Sequence, residues 1–106
     1  MKRFSYRQRD DAFGQSMLAL RTSLGLTQAE LAERLGVSGR AVREWEAGSS
    51  YPKAPHLQQV ITLAVRASGF PPGREAEEIR ALWKAARQKV LLDEQWLSTL
   101  LGRSGP

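Results

Sequence analysis

Histidine, cysteine and clustered acids are the residues that would carry chemistry in this chain. Histidine occurs once, at His56, and cysteine not at all, so one copy holds neither a thiolate site nor a His-based metal cluster. Glu75, Glu77 and Glu78 place carboxylates close together. Paired carboxylates suit general acid–base work, but these stand where a helix is expected to begin, and there they complement its dipole. No GxxxxGK phosphate loop and no nucleophile elbow occurs anywhere. The expectation is a protein that is not an enzyme, with no cofactor and no evident small-molecule ligand.

The cations offer more. Lys and Arg number 16 against 11 acids, a formal net charge of +5, and twelve of the sixteen are Arg. Arginine suits phosphate and guanine contacts, so an anionic partner such as nucleic acid is favoured. Compositional bias would give the same excess, and the charge is spread over both halves: nine cations and six acids in 1–53, seven and five in 54–106. The sharpest local excess is Lys2, Arg3, Arg7 and Arg9, with no acid before Asp10. Residues 1–10 are therefore expected to form a basic N-terminal arm. Such an arm either tracks phosphates or a minor groove, or is an ordinary unstructured start.

Those residues need elements to hold them. Apolar residues recur at helical spacing throughout, and strand-like alternation of useful length is absent, so the expected fold class is all-α. Phe13, Met17, Leu20 and Leu24 give one stripe on a first helix over about 11–24, stopped by Gly25. Thr27 and Glu30 form a capping box for a second helix over 28–35, with Leu31, Ala32 and Leu35 inward and Gly36 at its end. Ser38 caps a third helix, which Gly48 follows. Ala41, Val42 and Trp45 share one face of it, while Arg40, Arg43, Glu44 and Ala47 lie opposite. Leu57, Val60, Ile61 and Ala64 line a fourth helix with Pro55 in its first turn. Beyond Gly69-Phe70-Pro71-Pro72-Gly73, a fifth helix over about 74–88 carries Ile79, Leu82, Trp83 and Ala86. Asp93 caps a sixth with Trp96, Leu97, Leu100 and Leu101; periodicity leaves open whether the last two are one bent rod. No apolar run approaches the ~20 residues that cross a bilayer, and no secretory signal precedes the first helix, so a cytoplasmic protein without membrane contact is the simplest reading.

The series Leu24-Gly25-Leu26-Thr27-Gln28-Ala29-Glu30-Leu31-Ala32-Glu33-Arg34-Leu35-Gly36-Val37-Ser38, then Val42, then Trp45-Glu46-Ala47-Gly48, resembles the phage-repressor and Cro-type (XRE-type) helix-turn-helix family over about residues 12–67. The resemblance implies a five-helix repressor-type bundle over 11–68, with residues 74–101 as a C-terminal helical extension that packs on it or forms an interface. It implies duplex DNA as the partner, sequence-specific binding in a bacterial transcriptional regulator, and the helix near 39–46 in the major groove. On that reading Ser38, Gly39, Arg40 and Glu44 sit nearest the bases. Arg40 would grip guanine, or simply pair with Glu44 along the helix; Glu44 would accept from a cytosine amino group. Gln28 matches the family's phosphate-binding glutamine, and Arg43, Ser49, Ser50 and Lys53 fall where backbone contacts are made, although each would also serve as a solvated surface residue. Arg21 and Glu46 match a structural ion pair of the family, and Trp45 is core.

More loosely, residues 73–84 and 93–97 resemble the N-terminal regions of large bacterial signalling NTPases. That resemblance implies a different role, a helix-turn-helix protein-interaction module at the start of a larger protein. Gly102 to Pro106 reads as a linker or an end, and the extension leaves room for a homodimer or further domains.

Overall fold

Residues 9–102 are described by a computed structural model. Lys2, Arg3 and Arg7 of the expected arm, and the residues from Arg103 onward, lie outside the described residues.

Local capping sets the order of the helices. Asp10 caps α1 (Asp11–Leu24) by accepting from the Phe13 amide. Thr27 and Glu30 close a complete capping box on α2 (Gln28–Leu35), and Ser38 accepts from the Ala41 amide to start α3 (Gly39–Ala47). Each cap satisfies an amide that the helix cannot, worth about 1 kcal/mol. Left-handed glycines, Gly25, Gly36 and Gly48, end all three helices. α4 (Ala54–Arg66) follows, with Pro55 in its first turn. α5 (Glu75–Ala85) begins with Glu75, Glu77 and Glu78, and α6 (Glu94–Leu101) is capped by Asp93. Among the described residues there is no strand.

The helix count corrects the five-helix expectation. Residues 11–68 hold four helices, and the fifth and sixth both come from the C-terminal stretch, separated by a non-helical segment from Ala86 to Asp93. α5 also stops earlier than its periodicity suggests. Arg87 takes a left-handed backbone (φ 51°), which no α-helix continues through.

One apolar core joins all six helices. Phe13, Met17, Leu31, Val42, Trp45, Leu57, Val60 and Ile61 fill its centre. Ile79, Leu82, Trp83 and Leu97 bring the extension into the same cluster, with Trp96, Leu100 and Leu101 half-buried beside it. Burying each large apolar side chain is worth about 1.5–3 kcal/mol. The exposed pairs Arg74–Glu77 and Arg80–Glu94 on the extension are screened by water and contribute little. Packing, not surface charge, seats α5 and α6 on α1 and α4.

α1 crosses α3 so closely that a Cβ on Gly14 would run into the Glu46 carbonyl. The Asp10 amide donates to the Gly48 carbonyl at 2.8 Å, and Gly48 has φ 77° with its α-carbon against the Asp10 backbone. Both glycines are needed for that approach.

Candidate nucleic-acid interface

α3 is the element whose outer face is free. Val42 and Trp45 are buried, while Arg40 and Arg43 are exposed and Glu44 and Ala47 half-exposed. Arg9, Arg40, Arg43, Glu44, Ala47 and Ser49 together line one shallow surface hollow over this face. Three guanidinium-bearing residues against one carboxylate make the hollow a concentrated positive patch on a helix locked by caps at both ends.

Within it, the Arg40 Nε donates to Glu44 Oε2 at 3.0 Å, and the two side chains are 78% and 42% exposed. A solvated pair of this spacing is worth about 0.3–0.5 kcal/mol. A two-bond contact with guanine is worth about 1–3 kcal/mol. Arg40 therefore leaves Glu44 readily for a better acceptor. Ser38 has already spent its hydroxyl oxygen on the Ala41 amide. Gly39 opens the first turn, and a Cβ there would meet the Arg43 guanidinium at an ordinary 3.6 Å. Internal packing thus makes no demand for glycine at that position.

At the other end of α3, the Ser49 hydroxyl and amide both donate to the Glu44 carbonyl, at 3.2 and 3.0 Å. They finish the helix. Ser50 is half-buried, and Lys53 is exposed at the start of α4 with no capping bond from its side chain.

The tilt of α3 is set from beneath. Arg21 of α1 grips Glu46 of α3 with two bonds, Nε to Oε2 at 2.5 Å and Nη2 to Oε1 at 3.0 Å, and its Nη1 donates to the Leu26 carbonyl. Glu46 holds the Arg21 guanidinium even further above its normally high pKa, chiefly through those bonds. Gln28, the first residue of α2, donates its amide to the same Glu46 Oε1 at 3.0 Å. One carboxylate thus ties together three helices. Gln28, matched by resemblance to a phosphate-binding glutamine, here has a protein partner for one amide hydrogen; its other hydrogen has no partner among the described residues.

Sequence reasoning missed the clamp on the loop between α3 and α4. The Tyr51 hydroxyl donates to the Asp10 carboxylate, and the Phe13 and Tyr51 rings meet edge-on with centroids 5.0 Å apart. That bond, with the Phe13 amide, holds the Asp10 carboxyl below the usual carboxylate range and raises the Tyr51 phenol. From the far side, the Gln88 amide donates to the Pro52 carbonyl at 2.8 Å. Gly14 was missed as well, although a lone glycine inside a helical pattern is a signal of close packing.

Metal chemistry gains no support: among the described residues no three His, Cys, Asp or Glu side chains cluster to hold an ion. No helix among them is long and apolar enough to cross a membrane.

Residues 17–63 match the family model described as helix-turn-helix. A stretch of 46 residues, 43% of the chain, is 44% identical to the HTH-type transcriptional activator BcrR of Enterococcus faecalis. That stretch spans only 22% of BcrR. No solved structure gives a significant match. The matched segment, 17–63, contains α2 and α3 and is similar to the helix-turn-helix family that the sequence resembles.

Proposed function

We propose that this chain binds duplex DNA sequence-specifically, as a bacterial transcriptional regulator or the DNA-binding part of one, with α3 lying in the major groove. The observation that carries the reading is the hollow over α3, where Arg9, Arg40 and Arg43 converge outside a helix whose inner face is fixed by Trp45, Val42 and Glu46. Arg40 reads a guanine edge and Glu44, once released, accepts from a cytosine amino group. Ser38 and Gly39 bring the start of α3 close to the bases. Arg43, Ser49 and Lys53 contact phosphates, and Gln28 offers its remaining amide hydrogen to another. That BcrR, to which 46 residues are similar, is a transcriptional activator supports the regulatory role.

Fluorescence anisotropy with random and preferred duplexes over a salt series tests this. Three or four ionic contacts per subunit give a slope of log affinity against log salt of about −3. Arg40→Ala weakens a preferred site selectively, whereas Lys53→Ala weakens all sequences alike. A chain that binds no duplex even at low salt and high protein concentration refutes the proposal, and the outer face of α3 then becomes a protein-docking surface.

A further inference from the structure

The turn that leaves α5 is fixed from both sides. The Trp83 indole donates to the Val90 carbonyl at 2.9 Å, and the Gln88 amide reaches the Pro52 carbonyl at 2.8 Å and the Ala86 carbonyl at 3.1 Å. Pro52 stands beside Lys53, in the loop whose polar residues were given phosphate contacts above. Arg87 lines a surface hollow with Asp10, Phe13 and Lys84. Asp10 in turn is bonded through its amide to Gly48, at the end of α3. Arg87 therefore stands beside that loop, and Lys89 follows Gln88, whose amide reaches it. Both are exposed, and among the described residues neither joins a salt bridge. The Asp10 carboxylate accepts from the Tyr51 hydroxyl and the Phe13 amide, and Arg87 is near enough for its charge to act on both Asp10 and Tyr51.

The backbone adds a second observation. α1, α2 and α3 all end on left-handed glycines, but after α5 the left-handed position is Arg87, with Ser68 the one other non-glycine case among the described residues. A charged side chain stands where glycine would be less strained.

We propose that the Arg87–Gln88–Lys89 turn is a second grip on the DNA backbone, its two cations reaching phosphates beside those held by the α3–α4 loop. Gln88 is a positioning residue that holds the turn on that loop. The inference rests on the DNA-binding reading and extends the interface beyond segment 17–63 into the C-terminal helices. A turn whose backbone is already held by Trp83 and Gln88 has less freedom to lose on binding, which is the advantage of preorganisation.

The test is an anisotropy titration of the full chain with random duplex from 0.2 to 0.05 M salt. Arg87→Gln/Lys89→Gln should make the salt slope shallower by about 1.8, so the ratio of unsubstituted to variant affinity grows about 12-fold across that range. Arg66→Gln, a control in the hollow with Arg34 and Trp96 on the α2–α4–α6 side, should leave the slope unchanged. Arg87→Gly should cut the slope by about 0.9 without lowering the melting temperature, which separates a lost contact from a lost fold. If the unsubstituted chain binds with a steep salt dependence and the double variant matches it, the second grip is refuted while DNA binding stands. An equal change in the Arg66 control also refutes it, because it shows only a general charge effect. If the unsubstituted chain binds no duplex, both proposals fall.

Discussion

Replacing Arg21 with alanine removes the two bonds to Glu46 and the bond to the Leu26 carbonyl, while Glu46, its side chain only 7% exposed, keeps its charge. Breaking a fully buried ion pair from one side costs about 3–5 kcal/mol, and an exposed pair contributes about 0–1 kcal/mol. Arg21 is 16% exposed and Gln28 remains as a donor to Glu46, so the cost lies between those limits. We expect about 2–3 kcal/mol for Arg21→Ala, since one neutral donor does not replace a guanidinium. At this chain length that lowers the melting temperature by roughly 10 °C. Glu46→Ala should cost somewhat less, because the stranded guanidinium keeps the Leu26 carbonyl and an open edge to water. The double variant removes the stranded charge and should melt above Arg21→Ala. A double-mutant cycle by circular dichroism, thermal and in urea, should then give a coupling energy of about 1 kcal/mol or more. Strictly additive losses, with the double variant melting well below either single one, would show that the pair does not act as a unit, and equal melting temperatures for all three variants would show that the stranded charge adds no cost of its own.

Tyr51→Phe tests the loop clamp through pH. The lowered Asp10 pKa means its stabilisation is present above about pH 4, the unfolded value, and is lost as pH falls through the folded one. The raised Tyr51 pKa means its share is present below about pH 10 and is lost as pH rises through the folded value. The stability gap between Tyr51→Phe and the parent should therefore narrow at both extremes; a constant gap across pH would contradict the bond. Gly14→Ala gains about 1 kcal/mol of helix propensity but drives a Cβ into the Glu46 carbonyl. The expected net result is a lower melting temperature, and a rise would overturn the close-crossing account. Gln28→Ala should weaken DNA binding uniformly with little change of salt slope, because the side chain carries no charge; a slope change near 0.9 would point to an altered fold instead.

The caps and the core were legible because both are written locally. Thr27, Ser38 and Asp93 announce helix starts within three or four residues of what they cap, and Met17, Val42, Ile61 and Ile79 follow a helical period. The hollow over α3 was partly legible: Arg40, Arg43 and Glu44 share a face by spacing alone, but the addition of Arg9 depends on how α1 crosses α3. Contacts across the chain were not legible. Nothing in the pattern around Gln88 tells that its amide meets the Pro52 carbonyl, or that Gln28 shares the carboxylate of Glu46 with Arg21. The end of α5 was not legible for the same reason: the break from Ala86 to Asp93 is held by Trp83 reaching the Val90 carbonyl and Gln88 the distant Pro52 carbonyl, not by a proline or glycine in the sequence.

The crossing at Gly14 bears on how such a reading helix can be exchanged. Grafting positions 39–47 from a relative would bring new side chains to the groove, but the far end of the graft must fit beneath a glycine of another helix and against the backbone at Asp10. A host with alanine at position 14 would hold the graft off by pushing on the carbonyl of residue 46, tilting the helix out of register with the bases. Only the outward positions 40, 43, 44 and 47 can therefore be exchanged without regard to α1. The glycine must travel with the helix, though it lies beneath it and not on its outer face.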